Sequence, residues 1–302
     1  MSDIVIEETD LPRRRAAAVQ PMFWSVRREL WEHRSLYVVP IVTAVLLLVG
    51  LVTGSAVMTT MMRNNPEAHT RMGMEMDAPY ALAAMVVLTA GFITSIAYCL
   101  DALYGERRNR SILFWKSLPV SDTRTVLAKM LIPLLVQPVI ELVVIVVLQI
   151  VLLIASSITS IALEGTALAT WRDFPLGQST LTLAYQLVIA SLWYAPIYAW
   201  LLLISVWAKR APFLWAALPP VAIGLLEMLI FGTSWFGNML KLRLFGVEAL
   251  GFVSGGSKIR ADFVERIDPA RFFSTPGLWV GLVFAAACLA LATWLRRRRD
   301  SI

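Results

Sequence analysis

Residues 130–157 read MLIPLLVQPVIELVVIVVLQIVLLIASS. Glu141 is the single ionised residue in this run. At ~1.5 Å per residue, a helix of this length crosses the ~30 Å hydrocarbon layer of a bilayer. Five further apolar runs meet the same length test, near 36–60, 80–100, 180–207, 212–233 and 277–295. The expected fold is all-α: one polytopic membrane domain of six spans, 1–302, with no internal repeat and no low-complexity linker. Only Ala208, Lys209, Arg210 and Ala211 separate the fourth and fifth spans, so these form a tight helical hairpin. Pro133, Pro138, Pro196, Pro219 and Pro220 fall inside spans. Lipid tolerates them where neighbouring helices satisfy the freed carbonyls, and they predict kinks.

Composition agrees. Of 302 residues, 58% are hydrophobic and 16% charged. A soluble domain carries about 45–50% and about 25%. The excess of apolar side chains calls for a lipid-facing surface. The net charge of +6 and pI of about 9.6 do not mark a nucleic-acid binder, because the basic residues collect at the ends of apolar runs. Cys99 and Cys288 sit in or beside apolar runs and make neither a disulfide framework nor a metal cluster. Polar residues precede the first run, and that run is too long for a signal-peptide core, so an uncleaved first span is expected.

Eighteen of the 27 Lys and Arg lie in the N-terminal segment, the 101–129 loop, the 208–211 turn and the C-terminal Arg296-Arg297-Arg298-Arg299. The excess of basic residues on these segments predicts that both termini are cytoplasmic. The long 234–276 loop then falls outside, by span parity rather than by charge. Residues 1–20, with Arg13-Arg14-Arg15, read as a cytoplasmic tail. Across 21–35, Phe23, Val26 and Leu30 follow helical spacing, Trp24 and Trp31 lie seven apart, and Arg27, Arg28 and Arg34 are interleaved. That pattern predicts an amphipathic helix in the membrane interface.

The loop 101–129 reads DALYGERRNRSILFWKSLPVSDTRTVLAK. Glu106 opens a helical segment, where a carboxylate suits the positive end of the helix dipole. Arg107, Arg108 and Arg110 follow, and then the apolar Ile112, Leu113, Phe114 and Trp115. An exposed apolar cluster on a loop predicts a partner. Leu118 and Pro119 end that helix, and Ser121 caps the next, with Asp122 in its first turn.

This loop resembles that of the ABC-2 type permeases. Their corresponding loop commonly reads E-R-E-x-G-T-L-E-x-L-L-x-x-P-V-S, with a Lys at the start of span three. Glu106, Arg107, Leu113, Pro119, Val120, Ser121 and Lys129 match, while Ser111 replaces the usual Gly and Phe114 a frequent Glu. The resemblance implies the membrane subunit of a bacterial ABC exporter in the inner membrane, with a coupling helix formed by Glu106, Arg107, Arg110, Ile112, Leu113, Phe114, Trp115, Leu118 and Pro119. It implies a second permease copy or paralogue, a separate cytosolic ATPase that carries ATP and Mg, and no cofactor or catalysis in this chain. It also implies short re-entrant helices between spans five and six, in the aromatic-rich 234–276 loop.

Other signals point elsewhere. Gly251 to Arg260, GFVSGGSKIR, has P-loop glycine spacing but reverses the required Lys-Ser/Thr order and lacks the strand-then-helix context. His69 with Met72, Met74 and Met76 offers soft ligands of the kind Cu(I) takes. The plainer reading is methionines resting on lipid or on a neighbouring loop. With His33 as the other histidine, no His-rich metalloprotease site can be built. Glu141 and Glu227 sit in spans, where a carboxylate is costly and faces a cavity or a polar partner. They are candidates for the translocation path, and Gln137, Gln149 and Gln186 are the alternative hydrogen-bond partners. A competing function follows from those carboxylates: an ATP-independent secondary transporter or channel. A non-transporting scaffold or sensor is a third.

Overall fold

The computed structural model describes residues 19–64, 78–108, 121–164, 171, 176–246 and 269–299. Among these, all regular structure is helical. Helix α1 spans Val19–Glu32, α2 Ser35–Asn64, α3 Ala78–Asp101, α4 Tyr104–Arg108 and α5 Asp122–Leu131. A π turn, Ile132–Val136, leads into α6, Gln137–Glu164. Then come α7 Leu176–Trp207, α8 Pro212–Phe231, α9 Trp235–Phe245, α10 Pro269–Phe273 and α11 Pro276–Arg299. Six of the helical stretches are long and apolar enough to cross a membrane, and the architecture is that of a multi-pass membrane protein.

Helix α7 is the centre of the bundle. It packs along α11 and also touches α3, α6 and α8. Leu187, Ala195, Ala199, Leu202 and Val206 are buried on it. Small residues let backbones approach closely where lipid gives no hydrophobic drive between helices. The other contact set joins α2, α3 and α6 around Ala83, Val87, Ile145 and Leu153. Outward faces are apolar throughout, as in Val42, Val45, Leu46, Val143, Val147 and Val283. Helix α8 is the extreme case: Phe213, Leu218, Leu226, Leu229 and Phe231 are all exposed, and Ala216 alone on it is buried.

The helix of the first span runs on to Asn64, past the expected apolar run. The helix expected after Ser121 begins at Asp122 and continues into the third span, ahead of the apolar run that starts near 130. Ser121 caps this helix as expected, its hydroxyl accepting from the Arg124 N–H.

The π turn has a local cause. Pro138 has no N–H, and its ring would collide with the Leu134 carbonyl in a regular helix. Widening the turn removes the conflict. The Gln137 N–H then donates to the Ile132 carbonyl, five residues back. Such single-turn bulges recur at functional sites. At the hairpin between α7 and α8, Ala211 takes a left-handed conformation (φ 47°) directly before Pro212, a residue that disfavours a helical predecessor.

The 234–276 segment is not a plain connector. Its described parts include α9 and α10. The indole N–H of Trp193 and the hydroxyl of Tyr194 donate to the Arg243 and Leu244 carbonyls and hold the end of α9 to α7.

Candidate functional site

Among the described residues, ion pairs gather in a buried cluster at the end of the bundle that carries α1 and the C-terminal turns of α11. Lys129, near the end of α5, is 1% exposed. Its Nζ lies 2.8 Å from Glu29 Oε1 and 3.0 Å from Glu106 Oε1. Arg296 Nη1 reaches the other oxygen of Glu106 at 3.0 Å, and its Nε reaches Asp122 Oδ1 at 3.1 Å. Arg28 bridges Glu29 at 2.9 Å and Glu106 at 3.4 Å. The hydroxyl of Tyr98 donates to Glu29 Oε2. Glu32 adds a contact to Arg28 Nε at 3.6 Å, so four carboxylates share Lys129, Arg28 and Arg296.

Its members come from five helices: α1, α3, α4, α5 and α11. The network is the knot that ties them. Burying charge is costly unless every ion is paired and hydrogen-bonded, and these are. Burial pushes the Glu29 carboxyl up, but Lys129 and Arg28 outweigh it and hold the pKa below its ordinary value.

The base of the 101–129 loop is anchored separately. Ser205 Oγ, on α7, accepts from the Leu103 and Tyr104 N–H groups at 3.0 and 2.8 Å. The Arg107 guanidinium donates to the Ser205 and Ala208 carbonyls. Those carbonyls end α7, where a helix has no internal partners for them and a cation suits the dipole.

The expected coupling residues therefore divide. Glu106 and Arg107 are placed, and both turn inward. The Glu106 carboxylate is engaged by Lys129, Arg28 and Arg296. Arg110, Ile112, Leu113, Phe114, Trp115, Leu118 and Pro119 lie outside the described residues. So do His69, Met72, Met74, Met76 and the 251–260 stretch.

The two span carboxylates also part company. Glu141 is buried in the bundle, 6% exposed, with Gln137 one turn before it. A Cβ added at Gly91, on α3, would overlap the Glu141 Oε1 position, so the missing side chain of Gly91 is what admits the carboxyl. Glu227 is different. Its oxygens accept from the Thr233 hydroxyl at 2.8 Å and from the Trp235 and Phe236 N–H groups at 2.7 and 2.8 Å. It caps the N-terminus of α9. Neither Gln149 nor Gln186 is its partner; Gln149 donates to Ser179 instead.

Ligand atoms of Glu29, Glu32 and His33 lie within 4.8 Å of one another. A metal there would have to displace Lys129 and Arg28 from Glu29, so the trio is better read as part of the ion network. Sequence reasoning singled out Lys129 only through the resemblance, and missed Glu29, Asp122 and Arg296. The one signal for Glu29 was an acid inside a basic amphipathic stretch; Asp122 read as a first-turn residue and Arg296 as a topology anchor.

Compared with known proteins, the chain matches no family model, no curated protein and no solved structure.

Proposed function

We propose that the chain is the permease subunit of an ABC-type exporter, worked by a separate cytosolic ATPase. The carrying observation is the way the base of the 101–129 loop is fastened. Glu106 ties it to α1, α5 and α11, and Arg107 with Ser205 ties it to α7. A force applied to the residues between is thereby delivered to the third, fourth and sixth spans at once. That is what a coupling element requires, and it agrees with the ABC-2-like residues of this loop.

In this reading ATP and Mg are bound by the partner, which does the hydrolysis. The network end faces the cytoplasm of a bacterial inner membrane, in line with the basic residues gathered there. Helix α1 lies in the interface: Phe23, Trp24 and Trp31 are exposed, with the Arg27 guanidinium 5.3 and 5.8 Å from the two indole rings. A second permease copy or a paralogue completes the pathway. The outward apolar face of α8 supports such a neighbour as well as lipid.

The test is co-purification with a cytosolic ABC ATPase, then ATPase-driven transport in proteoliposomes. Trp115→Ala and Ile112→Ala should keep the fold and uncouple hydrolysis from transport. Unchanged coupling in both variants would remove the coupling-helix reading. Glu106→Ala is a poor probe, because it breaks the buried network. One observation favours a second reading: Glu141 lies buried without a cationic partner among the described residues, as in an ion-gradient transporter. Transport that persists without any ATPase would establish that alternative.

A further inference from the structure

We infer that Glu141 is a proton-binding site inside the membrane domain, carried as a neutral carboxylic acid in the conformation seen here. The inference is independent of the permease reading, since it concerns the resting chemistry of the bundle core and not its motor.

The argument begins with what surrounds the carboxyl. Glu141 is 6% exposed, near the middle of the third span. Among the described residues, no Lys, Arg or His forms an ion pair with it. The nearest cation along its own helix is Lys129, about 18 Å away at ~1.5 Å per residue, and that ammonium is held by Glu29 and Glu106. On α7, Tyr198 lies close enough to feel the Glu141 charge, with Tyr194 and Cys99 of α3 beside that tyrosine, and none of these three is a cation. Helix α2 has no titratable residue between Val38 and Met62. An ionised carboxylate in this setting has no counter-charge, and such a group neutralises itself rather than remain charged.

A second observation points to what it binds. Gln137, one turn away and 1% exposed, has neither amide atom in a hydrogen bond of good geometry. A buried amide left so is costly. The Gln137 Nε2 can donate to either form of the neighbouring carboxyl, but only the protonated form supplies an O–H that Gln137 Oε1 can accept, so the neutral acid alone can meet both amide atoms. A metal cation fits less well. Hard cations take six or more oxygen ligands, and on the α3 side the carboxyl meets Gly91, which contributes no side chain.

Uptake consumes one proton from hydronium, leaves water, and raises the charge of the protein by one; release reverses this.

The experiment is dicyclohexylcarbodiimide labelling of the full chain in liposomes, read by peptide mass spectrometry. This carbodiimide reacts with protonated carboxyls in apolar surroundings. Glu141 should be modified at neutral pH, with labelling falling about tenfold per pH unit on the alkaline limb. Added sodium or potassium at fixed pH should change nothing. Glu141→Gln, a neutral isostere, should fold and lose the label. Absence of label on Glu141 at every pH would overturn the inference. So would protection by sodium or potassium, which would make it a cation site. Failure to bind an ATPase would leave all of these outcomes unchanged.

Discussion

Lys129 Nζ sits 2.8 Å from Glu29 Oε1, a contact between residues 100 apart in the chain and both about 1% exposed. It joins the helix that precedes the first span to the start of the third. Removing the ammonium strands two buried carboxylates, Glu29 and Glu106. Lys129→Met should therefore cost about 3–5 kcal/mol, the usual loss when one partner of a buried pair is deleted. The double variant Glu29→Gln with Lys129→Met should recover part of it, because less charge is left unpaired. Thermal unfolding in detergent, followed by size-exclusion chromatography, reads both.

The same contact predicts a pH dependence. The pKa of Glu29 is depressed, so the native state holds its proton more weakly than the unfolded chain does. Its contribution to stability is fully present above the ordinary Glu value of about 4.5 and is lost as pH falls through the folded value. Wild-type melting temperature should fall on acidification in that window. Lys129→Met should flatten the acid limb, since the attraction that depresses the pKa is gone. Equal acid limbs in the two proteins would refute the assignment.

The spans were readable because apolar length is a local property. Residues 130–157 need no partner to declare themselves. The ion network is the opposite case. Glu106 and Arg296 are 190 positions apart, and nothing near Arg296 distinguishes it from the three arginines that follow. Burial turned an expected topology anchor into a structural ion. Glu227 was legible as an unusual carboxylate, but its role depends on a helix that begins eight residues later and points its free N–H groups back. Pro133 and Pro138 signalled a kink. That the kink takes the form of a π turn is seen only in the Gln137 N–H bonding five residues back to Ile132.

Ser205 tests whether the loop base is fixed from α7. Its hydroxyl is the acceptor for two backbone N–H groups, and its own residue is fully buried. Ser205→Ala leaves both donors without that partner, a loss of about 1–3 kcal/mol for buried groups. The effect should be local. Limited proteolysis should cut within 101–129 faster, while the melting temperature drops less than in Lys129→Met.

Gly91→Ala sets two effects against each other. Alanine in a helix interior is favoured over glycine by up to about 1 kcal/mol. The added Cβ, however, overlaps the Glu141 carboxyl, which is the movable end of its side chain. The carboxyl should yield, not the backbone. Melting temperature should change little, while carbodiimide labelling of Glu141 changes clearly. A large loss of stability with unaltered labelling would show that the notch serves packing alone.

Glu227 and Glu141 can be separated by one pair of substitutions. Glu227 accepts from the Trp235 and Phe236 N–H groups, the first donors of α9, which have no partner within the helix. Glu227→Ala releases them to solvent or lipid headgroups. Amide exchange at Trp235 and Phe236 should accelerate, and α9 should loosen from the end of α8. Glu141→Gln should leave those amides untouched. If Glu227 lined a transport path, its removal would alter transport while leaving α9 protected. The prediction is the reverse order: amide protection at α9 is lost first, and any change in transport follows from that loosening.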